Sequence, residues 1–477
     1  MPRQVLRATA FAYAMAMGPR GNEKTKMSAI DHLLDLATIP RESLPARALT
    51  LARHSLLDWM ACGMAGAGEP LAGKLRSLAE AEGGAPAASV ISGGRAPARM
   101  AALVNGATSH ALDYDDTHFA HVGHLSVAIY PAALAVAEGT GAKGLAVMEA
   151  FLVGAEVAIR VGLALGRGHY DAGFHQTATA GAFGAAVAAG RLLGLDRVGM
   201  RVALGLCATR ASGLKCQFGT MGKPYNAGVA AANGVEAAQL AMLGFSAPDD
   251  GVFGPQGFVP THAAELDFDA ASTPPVTERF LFEDNRYKFH ACCHGTHAMI
   301  EALLQSRETA GILLADAASL TLKTNPRWLR VCDIKRPRTG LEVKFSYGWL
   351  AGMTLRGDAT GSDRTYLDAL AGEAELVAFA EQVTVDGDGS LTDMEAAGEL
   401  VLRDGTRIAI YHDLAAPLDE AVLEERLSTK ADAMLGARAQ ALRELAPRVD
   451  EAPATEIGAV LRAADARPQG SEALEAS

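Results

Sequence analysis

From Ile30 to about Gly244 apolar residues recur at steps of three and four, with Gly, Pro or Asp at the breaks. That spacing predicts one amphipathic helix after another. Leu33, Leu34 and Ala37 open the series, and Leu49, Ala52, Leu56, Trp59 and Met60 continue it behind Pro45. Met100, Leu103, Val104, Ala107 and Ala111 mark a further helix that stops at the polar run 113–117. Helices are also predicted over residues 145–165, 177–193, 202–212 and 227–243.

The texture changes after Pro248. Prolines at 255, 260, 274 and 275 mark loop, and beyond them polar and apolar residues alternate at 319–323 and 381–385. A hairpin pattern follows at 398–403 and 406–411 around Asp404-Gly405, which reads as strands. Helical stretches at 296–310 and 345–355 accompany them, so residues 272–412 form a smaller α/β (α+β) domain. Helical periodicity returns at 418–445, and residues 413–450 are expected to rejoin 27–271 in one large all-helical domain. The fold class is therefore mainly α. Residues 451–477, rich in Ala, Glu and Pro, are expected to be a loosely ordered tail. In residues 1–26, Arg3 and Arg7 precede a short apolar stretch that imitates a signal peptide but is brief. A disordered extension ahead of a start near Met27 is expected there.

Composition refines this picture. Hydrophobic residues make up 49% of the chain but aromatics only 6%, so the helices must pack through small side chains. Glycine weakens a helix by about 1 kcal/mol, and Gly181, Gly184 and Gly190 in one predicted helix point to backbones in close approach. The net charge of −12 and the lack of a basic stripe exclude a nucleic-acid partner. An anionic substrate remains open, because a few cations inside a cleft set the local potential. No apolar run reaches the roughly 18 residues of a membrane span. The six cysteines, at 62, 207, 216, 292, 293 and 332, have neither disulfide-framework nor CxxC spacing, as expected for a reducing cytoplasm.

Five polar segments hold candidate chemistry. Asp113-Tyr-Asp115-Asp116-Thr117-His118-Phe-Ala-His121-Val-Gly-His124 packs carboxylates and imidazoles between two apolar helices. It reads as general acid/base machinery, as a metal site built on His118, His121 and His124 with Asp oxygens, or as structural capping of a helix at Ser126. Residue types alone leave these open. The glycine-rich stretch from Gly166 through His169 and Tyr170 leads His175 to a helix start. There it holds an anion, carries a proton or simply caps. In Phe218-Gly-Thr-Met-Gly-Lys223-Pro224, Lys223 is a base, a carboxylate clamp or a solvated loop lysine. Tyr287-Lys288-Phe-His290-Ala-Cys292-Cys293-His294 invites a zinc reading, but adjacent cysteines are poor tetrahedral partners and no second pair follows. Lys344, in Thr339-Gly-Leu-Glu-Val-Lys344-Phe-Ser346, either faces the same cleft or is solvated. There is no Walker loop, dinucleotide fingerprint or GxSxG elbow.

Taken in order, these segments resemble the MmgE/PrpD family, which includes 2-methylcitrate dehydratase, cis-aconitate decarboxylase and iminodisuccinate epimerase. The resemblance runs from about residue 30 to 445 and rests on DYDDTH followed by GHLS, GFHQTATAGAFGAAVAAGRLLG, GTMGKP with AGVAAANGVEAAQLA, and TGLEVKFS. It implies a large helical domain made from both ends of the chain, with an inserted α/β lid. It further implies a homodimer, a small polycarboxylate substrate, and an interdomain site with no metal or organic cofactor. Position by position it implies active-site roles for Asp113, Thr117, His124, His175 and Lys223. Cys293 stands where, by spacing to His297, the decarboxylase has a histidine. That departure argues against itaconate-forming decarboxylation, and with GHYDAGFH it looks more like the epimerase branch.

The expected chemistry is removal of a proton from the carbon beside a carboxylate by His124 or Lys223, with Lys223, Lys344 and His175 holding carboxylates. Tyr170 and Lys288 are expected to bind substrate. Elimination makes such an enzyme a dehydratase. Proton return on the opposite face, from Cys293, makes it an epimerase. The rival readings are a metal-dependent hydrolase or lyase using the run 113–124, and a non-catalytic carboxylate binder.

Overall fold

The computed structural model describes residues 28–463, so the expectation for residues 1–26 lies outside the described residues. The first half is helical. The Gly222–Met242 helix packs on both Ala98–Ser109 and Gln176–Leu192, and Gln176–Leu192 packs in turn on Ser126–Thr140 and Gly144–Asp171. Small residues make this possible. A Cβ added to Gly184 would lie 2.6 Å from the Gly154 carbonyl oxygen and 2.7 Å from Ile129 Cδ1. Gly184→Ala is therefore expected to destabilise the protein by about 1–3 kcal/mol, the usual cost of overpacking. A thermal melt checks it, and an unchanged midpoint contradicts the close approach.

Two helices differ from the spacing-based expectation. The one expected at 202–212 runs Arg197–Ala208, because the Asp196 carboxylate caps it by accepting from Gly199 N at 2.8 Å. The one expected at 145–165 kinks at Gly166, where φ is +69°, and turns on to Asp171.

The second half carries a four-stranded sheet in the order Val383–Gly387, Ala317–Thr324, Glu395–Leu402, Arg407–Asp413. The first pair is parallel and the others antiparallel. Gly405, at φ +88°, closes the hairpin. Leu320, Leu322, Leu400 and Ile410 alternate onto one buried face, against which the His297–Ala310 helix packs, with Tyr347–Arg356 beside it.

The chain crosses between the two parts under buried restraint. Glu156 Oε2 accepts from Phe282 N at 2.9 Å, and Arg160 donates to the Ala271 carbonyl at 3.3 Å. The Glu420–Leu435 helix then returns to pack on Ala46–Gly66. Of the tail expected at 451–477, Ala454–Arg462 is instead a helix docked on Ser126–Thr140, and residues 464–477 lie outside the described residues. Its Ile457, Gly458 and Leu461 form one apolar face, with Ile457 and Leu461 fully buried. Composition hid this short stripe.

Candidate active site

Asp113 follows directly on the turn that ends the Ala98–Ser109 helix, with φ at +51°. A non-glycine residue in that region costs of order 1–3 kcal/mol unless its surroundings hold it. Lys288 Nζ grips it twice, at 2.6 Å from its carbonyl and 3.1 Å from Oδ1. Lys223 Nζ takes Oδ2 at 2.7 Å. Burial pushes the Asp113 carboxyl up, but the Lys223 and Lys288 ammonium groups outweigh it and hold the acid well below the usual range. For Lys288 burial works downwards and the Asp113 charge overcomes it, leaving its pKa raised. Lys288 thus reaches the cleft charged.

His124 stands beside them, its Nε2 3.7 Å from Asp113 Oδ1. Its Nδ1 lies 2.6 Å from the Asp116 carbonyl and 2.8 Å from Asp115 Oδ2. Both partners only accept, so Nδ1 carries the proton. The other ring nitrogen, Nε2, faces Asp113. Asp115 is fully buried and also bonds His110 Nδ1 at 2.8 Å through Oδ1. Burial raises its carboxyl, and His110 and His124 bring it well below normal.

His175 opens the Gln176–Leu192 helix. The Asn226 amide donates to its Nδ1 at 3.2 Å, which places its proton on Nε2. Burial, then the His110 and Lys223 charges, keep this imidazole neutral, its pKa well below normal. The His110 ring bridges the set, 4.6 Å from His124 and 6.1 Å from His175, centroid to centroid.

The structure therefore brings Asp113, His124, Lys223 and Lys288 into direct contact, with His175 stacked one ring away. Cys293 lies within the field of Lys288. A hydrogen bond from Cys332, opposed by burial and aided by the Gly295 N–H and Lys288, lowers its thiol pKa. Burial raises the Tyr170 hydroxyl, and Lys215 Nζ covers its ring at 3.6 Å. Lys344 lies over Tyr366, its Nζ 5.1 Å from the ring centroid, and its carbonyl accepts from Cys293 N at 3.1 Å; burial lowers its pKa. Thr117 is held by its backbone to Arg286, N to O at 2.7 Å, and its buried hydroxyl finds no hydrogen-bond partner among the described residues.

The three-histidine metal reading does not survive the geometry. His118 Nε2 bonds the Leu281 carbonyl at 2.9 Å, and a Cβ on Gly162 would meet His121 Nδ1 at 2.7 Å, so both rings are packed structural groups. A different set, His110, Asp113, Asp115 and His124, does place ligand atoms within 4.8 Å of one another. Yet both Asp113 oxygens already face ammonium groups and both Asp115 oxygens face imidazoles. A divalent ion there would sit against Lys223 and Lys288.

Burial pushes His118 down to about 4 and His121 to about 3. Between the unfolded value near 6.5 and these values the unfolded chain takes up protons that the fold refuses. Stability is thus full above about pH 6.5 and lost as pH falls towards 4, by about 3 kcal/mol for His118 alone. Asp58, raised by burial to about 6, titrates in the opposite sense, so the comparison is with His118→Gln. Denaturant midpoints should fall less steeply with acid in that variant, and parallel slopes would contradict the assignment.

Residues 36–271 match the MmgE/PrpD N-terminal domain and residues 290–451 the MmgE/PrpD C-terminal domain. The chain belongs to the MmgE/PrpD family. Within this MmgE/PrpD chain Asp113, His124, His175 and Lys223 fall in the N-terminal match and Cys293 and Lys344 in the C-terminal one. Lys288 lies in the short connection between the two. The chain is 32% identical over 284 residues to a cis-aconitate decarboxylase-like protein, oryM, of Aspergillus oryzae, covering 54% of this chain and 57% of that one. It is 30% identical over 287 residues to the cis-aconitate decarboxylase of Aspergillus terreus, covering 57% and 59%. The human cis-aconitate decarboxylase matches at 37% over 155 residues, covering 31% of this chain and 32% of the relative. The chain thus spans a little over half the length of the fungal relatives and about a third of the human one. Among the described residues no helix is long and apolar enough to cross a membrane.

His110, Asp115 and Asn226 were not singled out as site residues from the sequence. His110 sits at the end of an apolar helix, where only its nearness to the Asp run was a signal. Asn226 lies inside an Ala-rich helix and gave none.

Proposed function

We propose that this protein is an enzyme that removes a proton from the carbon beside a carboxylate of a small polycarboxylic acid, without metal or organic cofactor. Elimination of a β-substituent then makes it a lyase. The observation that carries this reading is the placing of His124 Nε2 beside two lysine amino groups, Lys288 and Lys223, around one partly exposed carboxylate. A substrate carboxylate entering the cleft exchanges places with the Asp113 contacts of these lysines. His124 Nε2 takes the α-proton, and the electron pair moves into the carboxylate as an enolate. Fixed cations beside that developing charge supply what is usually the largest catalytic contribution. The pair then returns to form the C=C bond as the β-hydroxyl leaves, taking up the proton that His124 Nε2 has just acquired to depart as water, while the neutral His175 Nε2–H donates a hydrogen bond to the leaving oxygen. Lys344 and Tyr170 contact the remote carboxylate.

The lowered Cys293 thiol supports a second outcome at the same site, proton return to the opposite face of the enolate, which is epimerisation. Exposed Leu214, Phe218, Met221 and Tyr225 beside Lys223 support a homodimer, the usual reason for an apolar patch of this kind. Light scattering tests it.

The deciding experiment is turnover of 2-methylcitrate, citrate, cis-aconitate and iminodisuccinate in deuterated water, with and without a chelator. An unsaturated product marks the lyase, and deuterium at the α-carbon without loss of water marks the epimerase. Absence of both with all four acids, or activity that the chelator abolishes, overturns the proposal.

A further inference from the structure

Beneath the Asp113 loop lies a pair of charges that the chemistry above does not use. Lys430, on the Glu420–Leu435 helix, is 3% exposed and shares a buried stripe with Leu423, Leu427 and Met434. Helical periodicity calls for an apolar residue there. Instead its ammonium makes two bonds, 2.6 Å to Asp58 Oδ1 and 2.7 Å to the Tyr114 carbonyl, and lies 4.4 Å from the centre of the Tyr114 ring. A buried ion pair of this kind is a poor way to gain stability, since desolvation offsets most of the attraction. The second bond is the informative one. Tyr114 stands between Asp113 and Asp115, and its carbonyl shares a rigid peptide plane with the Asp115 N–H. The other end of the same residue is also held, as Tyr114 OH donates to the Gly361 carbonyl at 2.8 Å. Lys288 on the Asp113 carbonyl and Lys430 on the Tyr114 carbonyl thus grip successive peptide groups, at the place where Asp113 departs from ordinary backbone geometry.

We propose that Lys430 is a positioning residue, which fixes the directions of the Asp113 and Asp115 carboxylates by holding the peptide between them. Asp58 keeps the ammonium charged and in place, and is secondary. The proposal rests on the acid/base reading of the site. Its test separates it from mere packing, because methionine suits the apolar stripe.

Lys430→Met and the double variant Asp58→Asn/Lys430→Met are expected to lose about 10- to 100-fold in kcat with KM within about threefold. Asp58→Asn alone, which leaves the bond to the Tyr114 carbonyl, should melt earlier yet keep kcat within about threefold. If the double variant regains both its melting temperature and its kcat, Lys430 serves only to neutralise Asp58 and the proposal is overturned. Hydrogen exchange of the amides of residues 113–118 in the free protein reads the same point without turnover. It should speed up in both Lys430 variants and stay unchanged in Asp58→Asn. Equal exchange in all three overturns the positioning role. Absence of parent activity on any polycarboxylate overturns only the reading of the reaction.

Discussion

Asp115→Asn should lower kcat by about 10³- to 10⁴-fold in a protein that still folds, the cost expected when a buried acid that sets an imidazole tautomer is removed. Asp115 accepts from His110 Nδ1 through one oxygen and faces His124 Nδ1 at 2.8 Å through the other. An amide has one oxygen, so its NH₂ group must meet one of these nitrogens. Where it meets His124 it opposes the Nδ1 proton, leaving the Asp116 carbonyl as its one acceptor, and favours protonation at Nε2, the atom proposed to accept the substrate proton. The variant keeps the shape of Asp115, so circular dichroism and the melting curve should change little. Steady-state kcat on the preferred acid checks the prediction. A loss below tenfold with the fold intact would take Asp115 and His124 out of the mechanism.

Lys288→Met is expected to cost about 10²- to 10³-fold in kcat/KM, the usual price of losing one donor to a developing oxyanion. It should also lower stability, by about 1–3 kcal/mol, because the Asp113 backbone at φ +51° loses the ammonium that holds its carbonyl. Lys223 stays on Oδ2, so the two effects are separable. Lys223→Met should lower kcat/KM while leaving the melt nearly unchanged, since Lys223 touches only the side chain of Asp113. Lys288→Arg is not expected to restore activity, because the larger planar guanidinium does not fit the buried place of the compact ammonium, which is 3% exposed. Near-full rate in Lys288→Met would contradict the proposed enolate stabilisation.

The helical half was legible because its core is built from period. Leu33, Leu34, Leu56, Trp59 and Met60 recur as a buried face requires, and all are fully buried. The sheet was legible for the matching reason, an alternation of two at Leu320 and Leu322 with Leu400 and Ile410 opposite. The close approach at Gly184 was visible in glycine content alone. Legibility failed where the deciding partner is far away in the chain. Ala454–Arg462 carries a real stripe, but one of three residues amid Ala and Glu. His118 and His121 looked like ligands because residue type shows no direction, and both rings point into packed backbone. Lys430 looked like one more solvated helical lysine.

By itself the amino-acid order determined the class of the fold, the loops on which the polar segments lie, and the residue types available for proton transfer. These follow from local spacing, in which each residue answers mainly to its neighbours within a turn or two. Only the tertiary structure decided which nitrogen of His124 carries the proton, that Lys288 and Lys223 share Asp113, and that Lys430 reaches a carbonyl 316 residues away. Those are matters of direction at a few tenths of an ångström, set when helices from both ends of the chain close on one loop.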